Sequence, residues 1–173
     1  MCALPICVNL STSTVDANSL GLKGVQAQGV ATIDIGTGSA ATSVSAIVND
    51  STNVASLQTA GSTDFYFRGP GFADDQRVQV SVNLNGITDT ATLVAGINSA
   101  IENAGNGSSA QATAFKNAGI QAIVVTASDG KQSVGFTASD SAFQVAAGDR
   151  MANALLGNVT SPSTPAGLTL ANT

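Results

Sequence analysis

A change of period constrains this chain more than any other feature. Within Arg77 to Ile101, Val78, Val80, Val82 and Leu84 alternate with polar residues, the period-two pattern of a strand with one buried and one wet face. The alternation stops at Asn85-Gly86, as expected of a turn that needs positive φ. Thr88 and Asp89 then offer N-cap side chains, and apolar residues recur at Leu93, Ile97 and Ile101 with Val94 beside them. That i, i+4, i+8 stripe predicts an amphipathic helix. The helix is therefore expected to lie back over the sheet face. With Asp89 read as a cap, the unit gathers no set of groups for acid, base or nucleophilic catalysis.

The flanking segments are read in the same way. Residues 8–24 begin as a strand and relax into a Ser/Thr/Asn-rich linker leading into the fold. Val25 to Ile35 alternates well, and Thr42 to Thr59 keeps helical spacing through Val44, Ile47, Val48, Val54 and Leu57, with a break at Asn49-Asp50-Ser51. Asp64 to Arg68 is short, aromatic and β-prone. Ala110 to Ala118 predicts a short helix burying Phe115. Ile120 to Ala127 and Gln132 to Thr137 then form a hairpin about Asp129-Gly130, and Ser141 to Ala147 is expected to add a third strand to that meander. Asp149 caps a helix carrying Met151, Leu155 and Leu156 and ended by Gly157. Residues 159–173, with Pro162 and Pro165 among Ser/Thr, read as an exit linker.

This pattern predicts an α+β fold: small antiparallel sheets, each packed by one or two short helices. Two sub-domains are expected, over 25–75 and 76–158. Residues 1–7, which hold Cys2 and Cys7, read as a cloning remnant. A disulfide between those cysteines would close a trivial loop and stabilise little.

Composition narrows function. The 173 residues contain no His and no Trp, only 10% are charged, and the net charge is −5. Without histidine, the commonest neutral-pH acid–base group and a common metal ligand is missing. Six basic residues scattered through an acidic chain make no surface for a phosphate backbone, which excludes a nucleic-acid partner. No apolar run approaches the roughly 18–20 residues of a spanning helix, so no membrane partner is expected. With 43% hydrophobic residues in periodic array, the chain is folded rather than disordered.

No candidate site gathers a complete chemistry. Asp74-Asp75 with Asp64 lacks the alternating oxygen ligands of a calcium loop and reads as a solvated acidic turn. Asp129 and Asp140 could be paired carboxylates, but turn formation already accounts for Asp129. Gly69-Pro70-Gly71 precedes a strand and has no following Lys-Ser/Thr, unlike a phosphate loop. Lys116 reads as a snorkelling surface residue. The sequons at Asn9, Asn49, Asn106 and Asn158 arise easily in an Asn/Ser-rich chain. The expectation is no catalytic residue, no metal and no cofactor.

The order of motifs is itself informative. VSVNLNGITDTATLVAGINSAIENAG followed by IQAIVVTASDGKQSVGFTAS resembles the hook IN motif of bacterial flagellins and hook-associated proteins, in which a strand leads to a helix bearing Ile-Asn, here Ile97-Asn98, and then to a hairpin. The residues matching that motif are Val78, Val80, Val82, Leu84, Asn85, Gly86, Asp89, Leu93, Ile97, Asn98 and Ile101. VNLSTSTVDANSLGLKG and AGLTLANT are similar to the segments where flagellin chains leave and rejoin their inner region, and favour flagellin over a hook-associated protein. The long heptad helices of flagellin termini are not in this sequence. The resemblance thus implies an outer, variable-region portion of a flagellin: extracellular, on the bacterial flagellum, structural, monomeric alone and partnered by other flagellin subunits in the filament. A glycan-binding or adhesin module, with Phe65, Tyr66, Phe67 and Phe72 as its aromatic platform, is the alternative of a different class. An enzyme would need a pocket lined by Asp74, Asp75 and Asp140.

Overall fold

In the computed structural model of the chain, residues 34–36, 43–49, 61–139, 141–157, 159–160 and 169–170 are described. The period change becomes strand and helix where the spacing requires it. Strand β1 (Ser62–Gly69) pairs antiparallel with β2 (Ala73–Asn83), Phe65 opposite Val80 and Phe67 opposite Val78. The inward residues of β1 and β2, Phe65, Phe67, Val80 and Val82, are fully buried, and Leu84 just beyond β2 is buried too. Gly86 takes φ +78° in the turn after β2. Helix α2 (Thr90–Gly105) follows and buries Leu93, Ile97 and Ile101. A shorter helix α1 (Val44–Asn49) precedes these elements and buries Val44, Ile47 and Val48. The rest of the expected 42–59 helix lies outside the described residues, save Ser43, whose Oγ accepts from the Ala46 N–H.

After α2, helix α3 (Ala110–Asn117) is capped by Ser109 and buries Phe115. The expected hairpin forms from β3 (Gln121–Thr126) and β4 (Gln132–Thr137), with Thr126 opposite Gln132. The Ala127 C=O accepts from the Gly130 N–H and the Ala127 N–H donates to the Lys131 C=O, with Gly130 at φ +84°. This is the longer hairpin loop with a left-handed glycine rather than a two-residue turn. Strand β5 (Gln144–Ala147) and helix α4 (Arg150–Leu155) complete the main body.

Three expectations are corrected. The Ser141 to Ala147 segment does form a strand, but it does not extend the β3–β4 meander: β5 pairs antiparallel with β1, Phe67 opposite Val145, giving the sheet order β2-β1-β5. β1 has a free edge opposite β2, and the Gly148 N–H also donates to the Asp64 C=O there. Secondly, the boundary at 75/76 between two sub-domains falls inside β2, and the buried residues before and after it belong to one apolar cluster. Thirdly, the 159–173 exit linker contains a paired element: β6 (Val159–Thr160) lies antiparallel to β7 (Thr169–Leu170). Pro and Ser/Thr between two very short strands hide that pairing. Residues 1–33, including the cysteines, the leading linker and most of the 25–35 strand, lie outside the described residues.

The phenylalanines explain why one core forms. Phe67 on β1 meets Phe115 of α3 and Phe136 of β4 edge-to-face, at centroid distances of 5.6 and 5.5 Å. Phe72, between β1 and β2, reaches Phe115 at 5.2 Å. Each such pair adds about 0.5–1.5 kcal/mol beyond burial. Rings from three elements thus share one space, between the three-stranded sheet and the hairpin. Phe67→Ala should lower unfolding free energy by about 3–5 kcal/mol, measured by urea denaturation; a loss typical of an exposed residue would contradict this packing.

Candidate functional site: the helix-to-hairpin clamp

The residues singled out from the sequence divide by role. Val80, Val82, Leu84, Leu93, Ile97 and Ile101 are core, Val78 is partly buried against it, and Asn85 and Gly86 are exposed in the turn. Asp89, rather than Thr88, is the N-cap of α2. Its Oδ1 accepts from the Thr92 N–H at 2.7 Å while the Asp89 N–H donates to Thr92 Oγ1 at 3.1 Å, a reciprocal capping box built with threonine in place of the usual Glu or Gln. Thr92 holds the Asp89 carboxyl below its ordinary range, first through its backbone N–H and then through its side chain.

Asn98 stands apart. It lies next to Ile97 on the face of α2 turned toward β3, and its carboxamide exchanges two hydrogen bonds with a single residue. Its Nδ2 donates to the Ala122 C=O at 3.0 Å, and its Oδ1 accepts from the Ala122 N–H at 2.7 Å. An asparagine side chain carries the same donor and acceptor as a peptide group. Asn98 thus imitates a neighbouring strand at the outer edge of β3, where Ala122 is buried and its backbone groups need partners. The helix is locked in rotation and height against the hairpin by two polar contacts inside an otherwise aliphatic seam.

Two further polar nodes join elements far apart in the chain. Asp149 caps α4 by accepting from the Ala152 N–H, as expected, but also accepts from Thr63 Oγ1 at 2.6 Å and from the Asp64 N–H at 3.0 Å. It ties α4 to β1. Asp34, nearly buried, accepts from the Gly36 and Gln132 N–H groups at Oδ1, and Thr90 Oγ1 donates to Gln132 Oε1 at 2.6 Å. These join the start of β4 to α2 and to residues 34–36. Their partners lie far apart in sequence, and no local pattern could have found them.

The other candidates do not converge. Asp64 accepts from Gln79 Nε2 and Ser81 Oγ across the outer face of the sheet. Asp74 is exposed, and the side chain of Asp75 and all of Asp140 lie outside the described residues. Asp129 pairs with Lys131 at 2.6 Å with both side chains about half exposed, a contact of little net stability. Lys131 lowers the Asp129 pKa, chiefly by side-chain hydrogen bonding, and Asp129 raises that of Lys131. Lys116 Nζ donates to Asn106 Oδ1. Gly69-Pro70-Gly71 is the turn between β1 and β2. Among the described residues no group of three His, Cys, Asp or Glu is placed to hold a metal ion, and no helix is long and apolar enough to cross a membrane. The aromatic platform is not assembled: Phe65, Phe67 and Phe72 are buried, while Tyr66 faces outward with the Arg77 guanidinium 4.1 Å above its ring.

Compared with known proteins, the chain matches no family model, no curated protein and no solved structure.

Removing the Asn98 carboxamide leaves the buried Ala122 N–H and C=O without partners, which costs about 1–3 kcal/mol per orphaned group. Asn98→Ala should therefore lower stability on that scale and selectively accelerate hydrogen exchange at the Ala122 amide; unchanged protection there would refute the clamp. Asp89 gives a pH test. A carboxyl made more acidic by folding contributes stability above its unfolded pKa and loses it as pH falls through the folded pKa. Asparagine caps without titrating. The urea midpoints of wild type and Asp89→Asn should thus converge as pH drops through the acid range, and parallel curves would exclude the cap as a source of the slope.

Proposed function

We propose that this chain is a structural piece without catalysis: the surface-projecting outer portion of a bacterial flagellar filament subunit, outside the cell, with neighbouring flagellin subunits as its partners. The observation that carries this reading is the use made of Ile97-Asn98. The strand, turn and helix, and after the short helix α3 the hairpin, come in the order the hook IN resemblance implies. Within them, Ile97 fills the core while Asn98 fixes the helix to the hairpin. A motif whose polar residue is consumed in holding its own elements together suits a rigid module carried on a polymer. Two of the candidate carboxylates support the same reading, since Asp64 and Asp129 each accept hydrogen bonds within the chain. A hook-associated protein is the alternative that shares the motif. The glycan-binding alternative is weakened by burial of the three phenylalanines it would need on the surface.

Antibodies raised against the isolated chain should decorate the source bacterium's filaments along their whole length in immunogold microscopy. Label confined to the hook–filament junction would favour the hook-associated alternative, and no flagellar label would overturn both. In sedimentation velocity the isolated chain should remain monomeric at every concentration; filaments formed by the chain alone would contradict its assignment to the outer portion.

A further inference from the structure

We propose that Asn85 is a site of spontaneous covalent modification, converting to aspartyl and isoaspartyl through a cyclic imide, and that the fold directs this chemistry to Asn85 and away from Asn106. The sequence contains two Asn-Gly pairs, Asn85-Gly86 and Asn106-Gly107. Both are exposed, and by sequence alone they are equally reactive, since glycine offers the least hindered backbone nitrogen. Their surroundings differ.

The reaction requires the Gly nitrogen to reach the Asn side-chain carbonyl carbon. At Asn85-Gly86 little opposes this. The pair occupies the two central positions of a turn closed by the Ile87 N–H on the Leu84 C=O at 3.2 Å. Gly86 sits at φ +78° with no atom within 4 Å of where a Cβ would stand. The Gly86 N–H and the Asn85 carboxamide make no hydrogen bond among the described residues; the Asn85 backbone N–H alone is engaged, by Asn83 Oδ1 at 2.9 Å. At Asn106-Gly107 the opposite holds. Asn106 Oδ1 is held by Lys116 Nζ at 3.0 Å, its N–H donates to the Asn103 C=O, and a Cβ at Gly107 would stand 3.1 Å from the Ala112 Cβ. The Lys116 contact holds that carboxamide in one orientation, and the crowding beside Gly107 restricts the backbone movement that would bring its nitrogen to the side-chain carbon.

The chemistry balances without a cofactor. Base removes the Gly86 amide proton, the nitrogen forms a bond to Asn85 Cγ, and the Cγ–Nδ2 bond breaks with release of ammonia. Water then opens the imide at either carbonyl. Attack at one restores the normal backbone as aspartate. Attack at the other leaves the chain running through the former side chain, one methylene longer. The net change is one water consumed and one ammonia released. The product adds a negative charge, and its isoaspartyl form lengthens the backbone at the corner where β2 hands over to α2.

The intact chain is incubated at mildly alkaline pH, and both pairs are followed by peptide mapping, with isoaspartyl content read by enzymatic carboxyl methylation. In the folded protein Asn85 should convert several-fold faster than Asn106, and in denaturant the two rates should converge. Asn85→Ser should remove the fast component. Equal native rates, a faster Asn106, or an Asn85 that stays intact while folded would each overturn the assignment.

Discussion

The structure depends on one helix serving two masters. Helix α2 packs its Leu93, Ile97 and Ile101 stripe into the common core and touches both β2 and the β3–β4 hairpin. Burial of aliphatic surface supplies the driving force, at roughly 25 cal/mol per Å², but it is indifferent to rotation and sliding. A helix held only by leucine and isoleucine could settle in several registers. The two hydrogen bonds between Asn98 and Ala122 select one of them, because an unmade bond at a buried peptide is expensive while a shifted methyl contact is not. The capping box at Asp89 fixes where the helix starts, and the Asn85-Gly86 turn fixes how far it stands from β2. The aliphatic seam thus provides stability, and the polar contacts at its ends and centre provide uniqueness.

The same division governs the rest of the molecule. β1 is the central strand of its sheet, with β2 on one side and β5 on the other, so residues more than seventy positions apart are joined through it. Asp149 reinforces that closure from α4, and Asp34 and Gln132 tie residues 34–36 to the hairpin. A chain with so few charges places several of them at joints between elements. This economy fits the structural, non-catalytic module proposed above.

Much of this was legible in the residues because the local rules agree with one another. The β2–turn–α2 unit, the β3–β4 hairpin, the Phe115 helix and the Asp149-capped helix are each written in periodicity, caps and turn glycines, which act within a few residues. Long-range pairing was not legible. Ser141 to Ala147 reads as a strand, but nothing in it says that its partner is β1 rather than β4; the boundary near 75 rests on a local shift in composition, which carries no information about the strand that runs through it. Asp149 announced its cap and concealed its bonds to Thr63 and Asp64. The resemblance marks Asn98, yet its work depends on Ala122 being brought opposite by the hairpin, which no spacing on α2 encodes. The aromatic cluster misled for the same reason: alternate residues of β1 point to opposite faces, so the phenylalanines and Tyr66 are never one surface.

The central claim is that α2, with its aliphatic stripe and its asparagine, knits both sheets into one cooperative core. Residue-resolved NMR through a urea titration tests it most directly, using amide signals of Val80, Ile97, Val134 and Leu155 as reporters of β2, α2, β4 and α4. A single core predicts that all four signals fade at one urea midpoint. Two separated midpoints, with Val80 parting from Val134 and Leu155, would show two independently folding units and contradict it.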